Sequence, residues 1–115
     1  MIQNLNQTMT EISVGKGEIF GKGVYANKNF KKGEIVIRYN LKKLSDDEFK
    51  GLSNEEKHFV HTHYDIKYLY SIPERYVNHS SNSNTVQDIK NACDVAIRDI
   101  QKGEQITTDA SKDDI

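Results

Sequence analysis

The segment Asn78-His79-Ser80-Ser81-Asn82-Ser83-Asn84 gathers amides, an imidazole and hydroxyls in consecutive positions. Asn78 carries a donor and an acceptor on one planar group, so it can read a polar ligand or satisfy loop backbone. Gly21-Lys22-Gly23 is a second candidate. Two glycines leave no side chain in the way of a molecule approaching the main chain, although the same pattern describes an ordinary tight turn. Tyr39, Tyr68 and Tyr70 each combine an apolar ring with a polar tip, suited to lining a channel or closing a core. His58, His61 and His63 suggest a metal. His58 and His61 share a helix face, but His63 falls off it and no glutamate stands as in the zinc-protease helix pattern. A solvated helix end is the expectation there, and no metal site is assigned. Cys93 is the single cysteine and has no internal disulfide partner. Its apolar-leaning neighbours mark it as a buried thiol.

These residues must be positioned by short elements. Gly15, Gly17, Gly21, Gly23 and Gly33 crowd the first part of the chain and leave room for strands and turns, not long helices. Residues 10–14 read as a first strand, and 18–26 as a turn followed by a strand. Lys31-Lys32-Gly33-Glu34 reads as a turn leading into a β-rich run that ends at Tyr39. Ser45 with Glu48, and Ser53 with Glu56, have capping-box spacing. They predict short helices over 46–50 and 54–62. Strand character returns at 66–72, then at 85–89 and 92–98 joined near Lys90-Asn91. Ile100-Gln-Lys-Gly-Glu-Gln-Ile repeats the turn-then-strand pattern. The expected fold is mainly β with a small helical insert, in one domain.

Composition narrows the function classes. At 115 residues the chain accommodates one modest core. Hydrophobic residues are 36% and charged residues 29%, with a formal charge of −1, so no global positive field points to nucleic acid. Lys28, Lys31, Lys32, Lys42, Lys43 and Lys50 could form a local basic patch. Acidic residues interleave after Ser45, which favours a solvated surface. No run approaches the ~20 apolar residues of a membrane helix, and the N-terminal segment has no apolar core typical of a secretory signal. Intracellular residence is therefore favoured.

Four segments in order resemble the SET-domain lysine methyltransferases. They are Gly21-Lys-Gly-Val-Tyr-Ala, Lys32-Gly-Glu-Ile-Val-Ile-Arg-Tyr-Asn, Arg75-Tyr-Val-Asn-His-Ser-Ser-Asn-Ser-Asn and Lys102-Gly-Glu-Gln-Ile-Thr-Thr-Asp. The Asn-His-Ser segment is the most specific. The resemblance spans about 12–109, leaving 110–115 as a tail, and resembles the compact form of viral and bacterial members. It implies a β-clip-like fold of several small sheets with a C-terminal pseudoknot, in which 102–109 passes near 75–84.

The resemblance also implies chemistry. The cofactor would be S-adenosylmethionine, and the substrate a protein lysine, on a histone or other basic protein. Gly21, Lys22 and Gly23 would approach the methionine portion through backbone, and Asn78 and His79 would form the opposite wall. Arg75 either joins them or pairs with Glu74 or Asp109. Tyr39 is the catalytic candidate, and Tyr68 and Tyr70 are candidates for the substrate channel. The family usually closes with threonine–X–X–tyrosine, whereas this chain reads Thr107-Thr-Asp-Ala. Ala110 offers no hydroxyl, so slow catalysis or a non-catalytic binding module is implied. No cysteine cluster follows for a structural zinc. Neither membrane nor direct nucleic-acid binding is expected. By analogy, a homodimer could complete the groove.

Overall fold

The computed structural model describes residues 11–109 and residue 111. Ala110, residue 10 of the expected first strand, and the rest of the 110–115 tail apart from Ser111 lie outside the described residues.

Strands dominate, as the glycine spacing requires. β1 (Ile12–Ile19) and β2 (Lys22–Ala26) form a hairpin, pairing from Ile12 with Ala26 to Ile19 with Lys22. β1 runs farther than expected, through the Glu18 region assigned to a turn. The turn contracts to Phe20-Gly21, both at positive φ (51° and 77°), a region glycine enters at no steric cost. β3 (Ile35–Arg38) and β4 (Lys42–Leu44) follow.

α1 (Asp46–Lys50) closes the predicted capping box: the Glu48 amide donates to Ser45 Oγ at 3.1 Å, and the Ser45 amide to Glu48 Oε1 at 3.0 Å. α2 (Asn54–Lys57) has the Ser53 cap but is shorter than the predicted 54–62. Its Glu56 carboxylate is drawn away by Arg75. Val60–His63 form β5, which pairs antiparallel with β6 (Ile66–Leu69). Strand pairing thus overrides local helix preference, with Phe59 buried at the junction.

A 3-10 turn (Glu74–Tyr76) leads into β7 (Asn78–His79). β8 (Thr85–Asp88) and β9 (Cys93–Ala96) form the expected hairpin, and β10 (Gln105–Thr108) closes the fold. The strands form three sheets, ordered β1-β2-β10-β7, β3-β9-β8 and β4-β6-β5. α1 and α2 lie in the chain between β4 and β5, which is the helical insert.

β10 unites the molecule. It pairs antiparallel with β2 and parallel with β7, with Thr107 opposite Asn78 and Thr108 opposite His79. Asn84 locks this register: the Thr107 amide donates to its Oδ1 (2.9 Å), and its Nδ2 donates to the Gln105 carbonyl (2.8 Å). The closing segment therefore lies against residues 78–84, as the resemblance implied. The core centres on Ile12, Val24, Phe30, Ile37, Ile100 and Ile106, which come from the first and second sheets and from the isolated antiparallel bridge between Phe30 and Ile100. Fully burying each such side chain contributes about 1.5–3 kcal/mol.

Candidate active site

A cavity of about 370 Å³ opens between the sheets. This is the scale of a small-molecule site. Its lining includes Glu18, Asn78, His79 and Thr108 on one side of the chemistry, and Tyr39, Tyr70, Gln87 and Asp94 on the other.

The first wall rests on backbone pairing. Parallel β7 and β10 hold Asn78, His79 and Thr108. The Asn78 carboxamide faces inward: the Glu18 amide donates to its Oδ1 (2.7 Å), and its Nδ2 donates to the carbonyls of Lys22 and Tyr76 (both 2.9 Å). Asn78 therefore fastens the β1–β2 hairpin to β7. His79 is exposed, with Nδ1 3.7 Å from Asp109 Oδ1. The hairpin's contribution to the lining is Glu18 and Ile19 rather than Gly21, Lys22 or Gly23. A Cβ on Gly21 would meet nothing within 4 Å, so open space surrounds it. One on Gly23 would come within 2.5 Å of Gln105 Nε2, the far end of a flexible side chain that can swing aside, and 3.1 Å from the Lys16 carbonyl oxygen, so the fit there is tight.

Arg75 lines the cavity, but its partner is neither Glu74 nor Asp109. Its guanidinium makes a forked contact with Glu56 (2.7 and 3.3 Å), donates through Nε to the Tyr70 carbonyl (2.9 Å) and lies 4.3 Å from the centre of the Phe59 ring. A planar fork suits such a bidentate role. Glu74 turns the other way, its Oε2 accepting from the Asn40 amide (2.7 Å) and the Ser71 amide (3.2 Å). Its Oε1 has no hydrogen-bond partner. Burial pushes this carboxyl above its usual range, against the opposing pull of the backbone donors.

The second wall is a side-chain network. The Tyr39 hydroxyl donates to Asp94 Oδ1. Burial first, and then the Asp94 carboxylate, push the Tyr39 phenol far above its usual range, so it stays protonated. Gln87 Nε2 donates to the Tyr70 hydroxyl (2.6 Å), which also lies 2.7 Å from His63 Nε2. The rings of Tyr39 and Tyr70 stand 5.6 Å apart, and His61 lies 4.5 Å from Tyr70. Tyr68 sits on β6 opposite His61 and is not part of the lining.

The histidines correct the expectation of a solvated helix end. His58 caps α2, but His61 and His63 belong to β5 and His63 is only 1% exposed. Periodicity misled here because a short run of this kind fits either element. Glu74, Gln87 and Asp94 were not singled out from sequence. Asp94 did carry a signal: a lone carboxylate inside the apolar-leaning run of β9 is the kind of residue that is buried only with a partner. Cys93 is buried as expected, and burial raises its thiol.

Among the described residues, no helix is long and apolar enough to cross a membrane. No curated protein sequence matches the chain. Among solved structures, a Plasmodium falciparum protein described as a candidate histone methyltransferase is 20% identical, with a TM-score of 0.67 over 87% of this chain and 92% of that one. The ctPRC2 assembly, bound to S-adenosylmethionine in an autoinhibited conformation, contains a chain 23% identical, with a TM-score of 0.65 over 87% of this chain and 15% of that one. A humanized mutant of the Chaetomium thermophilum Polycomb Repressive Complex 2, bound to an inhibitor, gives 25% identity and a TM-score of 0.64 over 85% of this chain and 14% of that one. This chain thus corresponds to a small part of those larger chains. The family model of the SET domain matches residues 21–109, from the hairpin turn to the end of β10 and Asp109. The chain belongs to the SET-domain family.

Proposed function

We propose that this chain binds S-adenosylmethionine and transfers its methyl group to a lysine side chain of a protein, with a histone or another basic protein as substrate. The observation that carries this reading is one cavity lined by both the Asn78–His79 wall and the Tyr39–Tyr70 pair. The donor set fits a cationic cofactor and an amine. Glu18, Glu74 and Asp94 are carboxylates, and Tyr39, Tyr70 and His61 offer ring faces, which attract cations. Of the residues expected to hold the cofactor, Arg75, Asn78 and His79 line the cavity and would hold it together with Glu18 and Ile19, which stand there in place of Gly21, Lys22 and Gly23; the cofactor's contribution is an electrophilic methyl group on sulfur.

The protein's task is alignment. A neutral amine must meet the methyl carbon in line, in a pocket complementary to the transition state. The bound cofactor would supply the methyl carbon and keep the S–C electron pair on its sulfur, while the amine would supply the lone pair for the N–C bond and then lose a proton to water. Tyr39 is the residue of the site best suited to touch the amine, and Tyr70 would guide the methylene stem, a role that Tyr68, outside the lining, does not share.

Ala110 lacks the family's closing hydroxyl, so turnover should be slow. Calorimetry with S-adenosylmethionine and S-adenosylhomocysteine should show one site. Transfer of a labelled methyl to histones should be weak and should rise in Ala110→Tyr with little change in cofactor affinity. An absence of binding at millimolar cofactor overturns the proposal. Binding without transfer by either variant favours the binding-module reading instead.

A further inference from the structure

Asp94 is an unusual residue for its place. It sits in β9, between Cys93 and Val95, and is only 1% exposed. A carboxylate withdrawn from water is costly unless hydrogen-bonded. Here it accepts the proton of Tyr39, a residue on another strand's exit and 55 positions away in sequence. Both residues line the cavity.

The direction of that bond matters. A phenol has one proton to donate, and an ionised carboxylate can only accept. Asp94 therefore commits the Tyr39 proton to itself. What remains on the phenol oxygen is acceptor capacity for two donors, one of which the Gln87 amide can supply and one of which is left for a ligand. Tyr70 is different: its hydroxyl meets both Gln87 Nε2 (2.6 Å) and His63 Nε2 (2.7 Å), so two protein groups already claim it. Of the two cavity tyrosines, Tyr39 is the one that gives its proton to a buried carboxylate, with the Gln87 amide as a second, opposing influence on its oxygen.

We propose that Asp94 is a positioning residue for methyl transfer: it holds the Tyr39 hydroxyl as a donor, so that the phenol oxygen accepts an N–H of the incoming amine. This rests on the methyltransferase reading. It supplies, from β9 and the end of β3, a hydroxyl function that alanine at position 110 cannot provide. The phenol is kept neutral by burial and by the carboxylate beside it, so the acceptor is an un-ionised oxygen across the working pH range.

The test uses the full chain with Asp94→Leu, Asp94→Asn and Tyr39→Phe. Asp94→Leu frees the Tyr39 proton and should lower kcat ~100-fold, the scale of losing one preorganised group. KM for the protein substrate and cofactor affinity should hold. Asp94→Asn keeps a carbonyl acceptor and should retain most of the rate, a rescue that a purely structural role does not predict. Carbon-13 NMR of labelled tyrosine gives an independent readout. The Tyr39 signal should stay neutral beyond the ordinary phenol range near ~10 and should titrate earlier in Asp94→Asn. Unchanged kcat in Asp94→Leu or Tyr39→Phe overturns the proposal, as does cofactor binding by the native chain with no transfer. If Asp94→Leu fails to fold, an unchanged Tyr39 titration in Asp94→Asn overturns it alone. If the native chain binds no cofactor, the methyltransferase reading falls, and with it the catalytic role of Asp94. The NMR result then bears only on the Asp94–Tyr39 bond.

Discussion

The two walls of the cavity are built by different means. The Asn78–His79 wall is a backbone construction: β7 lies parallel to β10, and Asn78 spends its amide on Glu18, Lys22 and Tyr76. The Tyr39–Asp94 wall is a side-chain construction, in which hydroxyls, an amide and a carboxylate from β3, β6, β8 and β9 and their flanks meet. The first wall sets shape and stability and tolerates changes at its exposed rim. The second sets polarity, so single atoms should matter there. The contrast yields an ordered set of expectations.

The largest effect should come from Tyr39→Phe. Removing the hydroxyl deletes the second wall's candidate for contact with the amine, and turnover should fall ~100–1,000-fold. Cofactor affinity, measured by calorimetry, should stay close to that of the native chain. A proportional loss of both would place Tyr39 in the first wall's role and erase the distinction.

Next is Asn78→Ala. It leaves the Glu18 amide and the carbonyls of Lys22 and Tyr76 without this partner. An unsatisfied buried group costs about 1–3 kcal/mol, so the urea midpoint should drop clearly and cofactor affinity should fall with it. If stability is unchanged, the hairpin is not anchored through Asn78.

The third concerns Glu74, whose carboxyl is raised above its usual range chiefly by burial. The folded chain then holds a proton that the unfolded chain has released. Stability should decline as pH rises from the unfolded carboxylate pKa through the higher folded one, then level off. Glu74→Gln should flatten this decline in urea titrations across the acidic range. A decline of the same size in Glu74→Gln would assign it to another group.

The smallest is His79→Ala. The side chain is exposed, and its contact with Asp109 is long at 3.7 Å. Stability should change by no more than ~0.5 kcal/mol. A loss matching that of Asn78→Ala would show that the first wall depends on side chains after all.

Legibility followed the same division. The turns were readable because their chemistry is local. Lys31-Lys-Gly-Glu and Gln101-Lys-Gly-Glu both place glycine at positive φ (91° and 95°), and both end in a glutamate whose carboxylate accepts from the backbone at the turn's start. The α1 capping box was readable for the same reason. The second helix was overestimated because the pairing of Val60–His63 with Ile66–Leu69 is a demand from a neighbouring strand, invisible to local propensity.

The sequence by itself determined a glycine-punctuated, mainly β chain and, through ordered motifs, its family. These depend on local backbone preference and on residues close together in the chain. Only the tertiary structure decided that Arg75 serves Glu56, that Asn78 is an internal clasp, and that Asp94 faces Tyr39. Each of those pairings joins groups from separate parts of the chain. A side chain's partner is chosen by distance in space, and that distance is set when β10 slots between β2 and β7 and the cavity described above forms between the sheets.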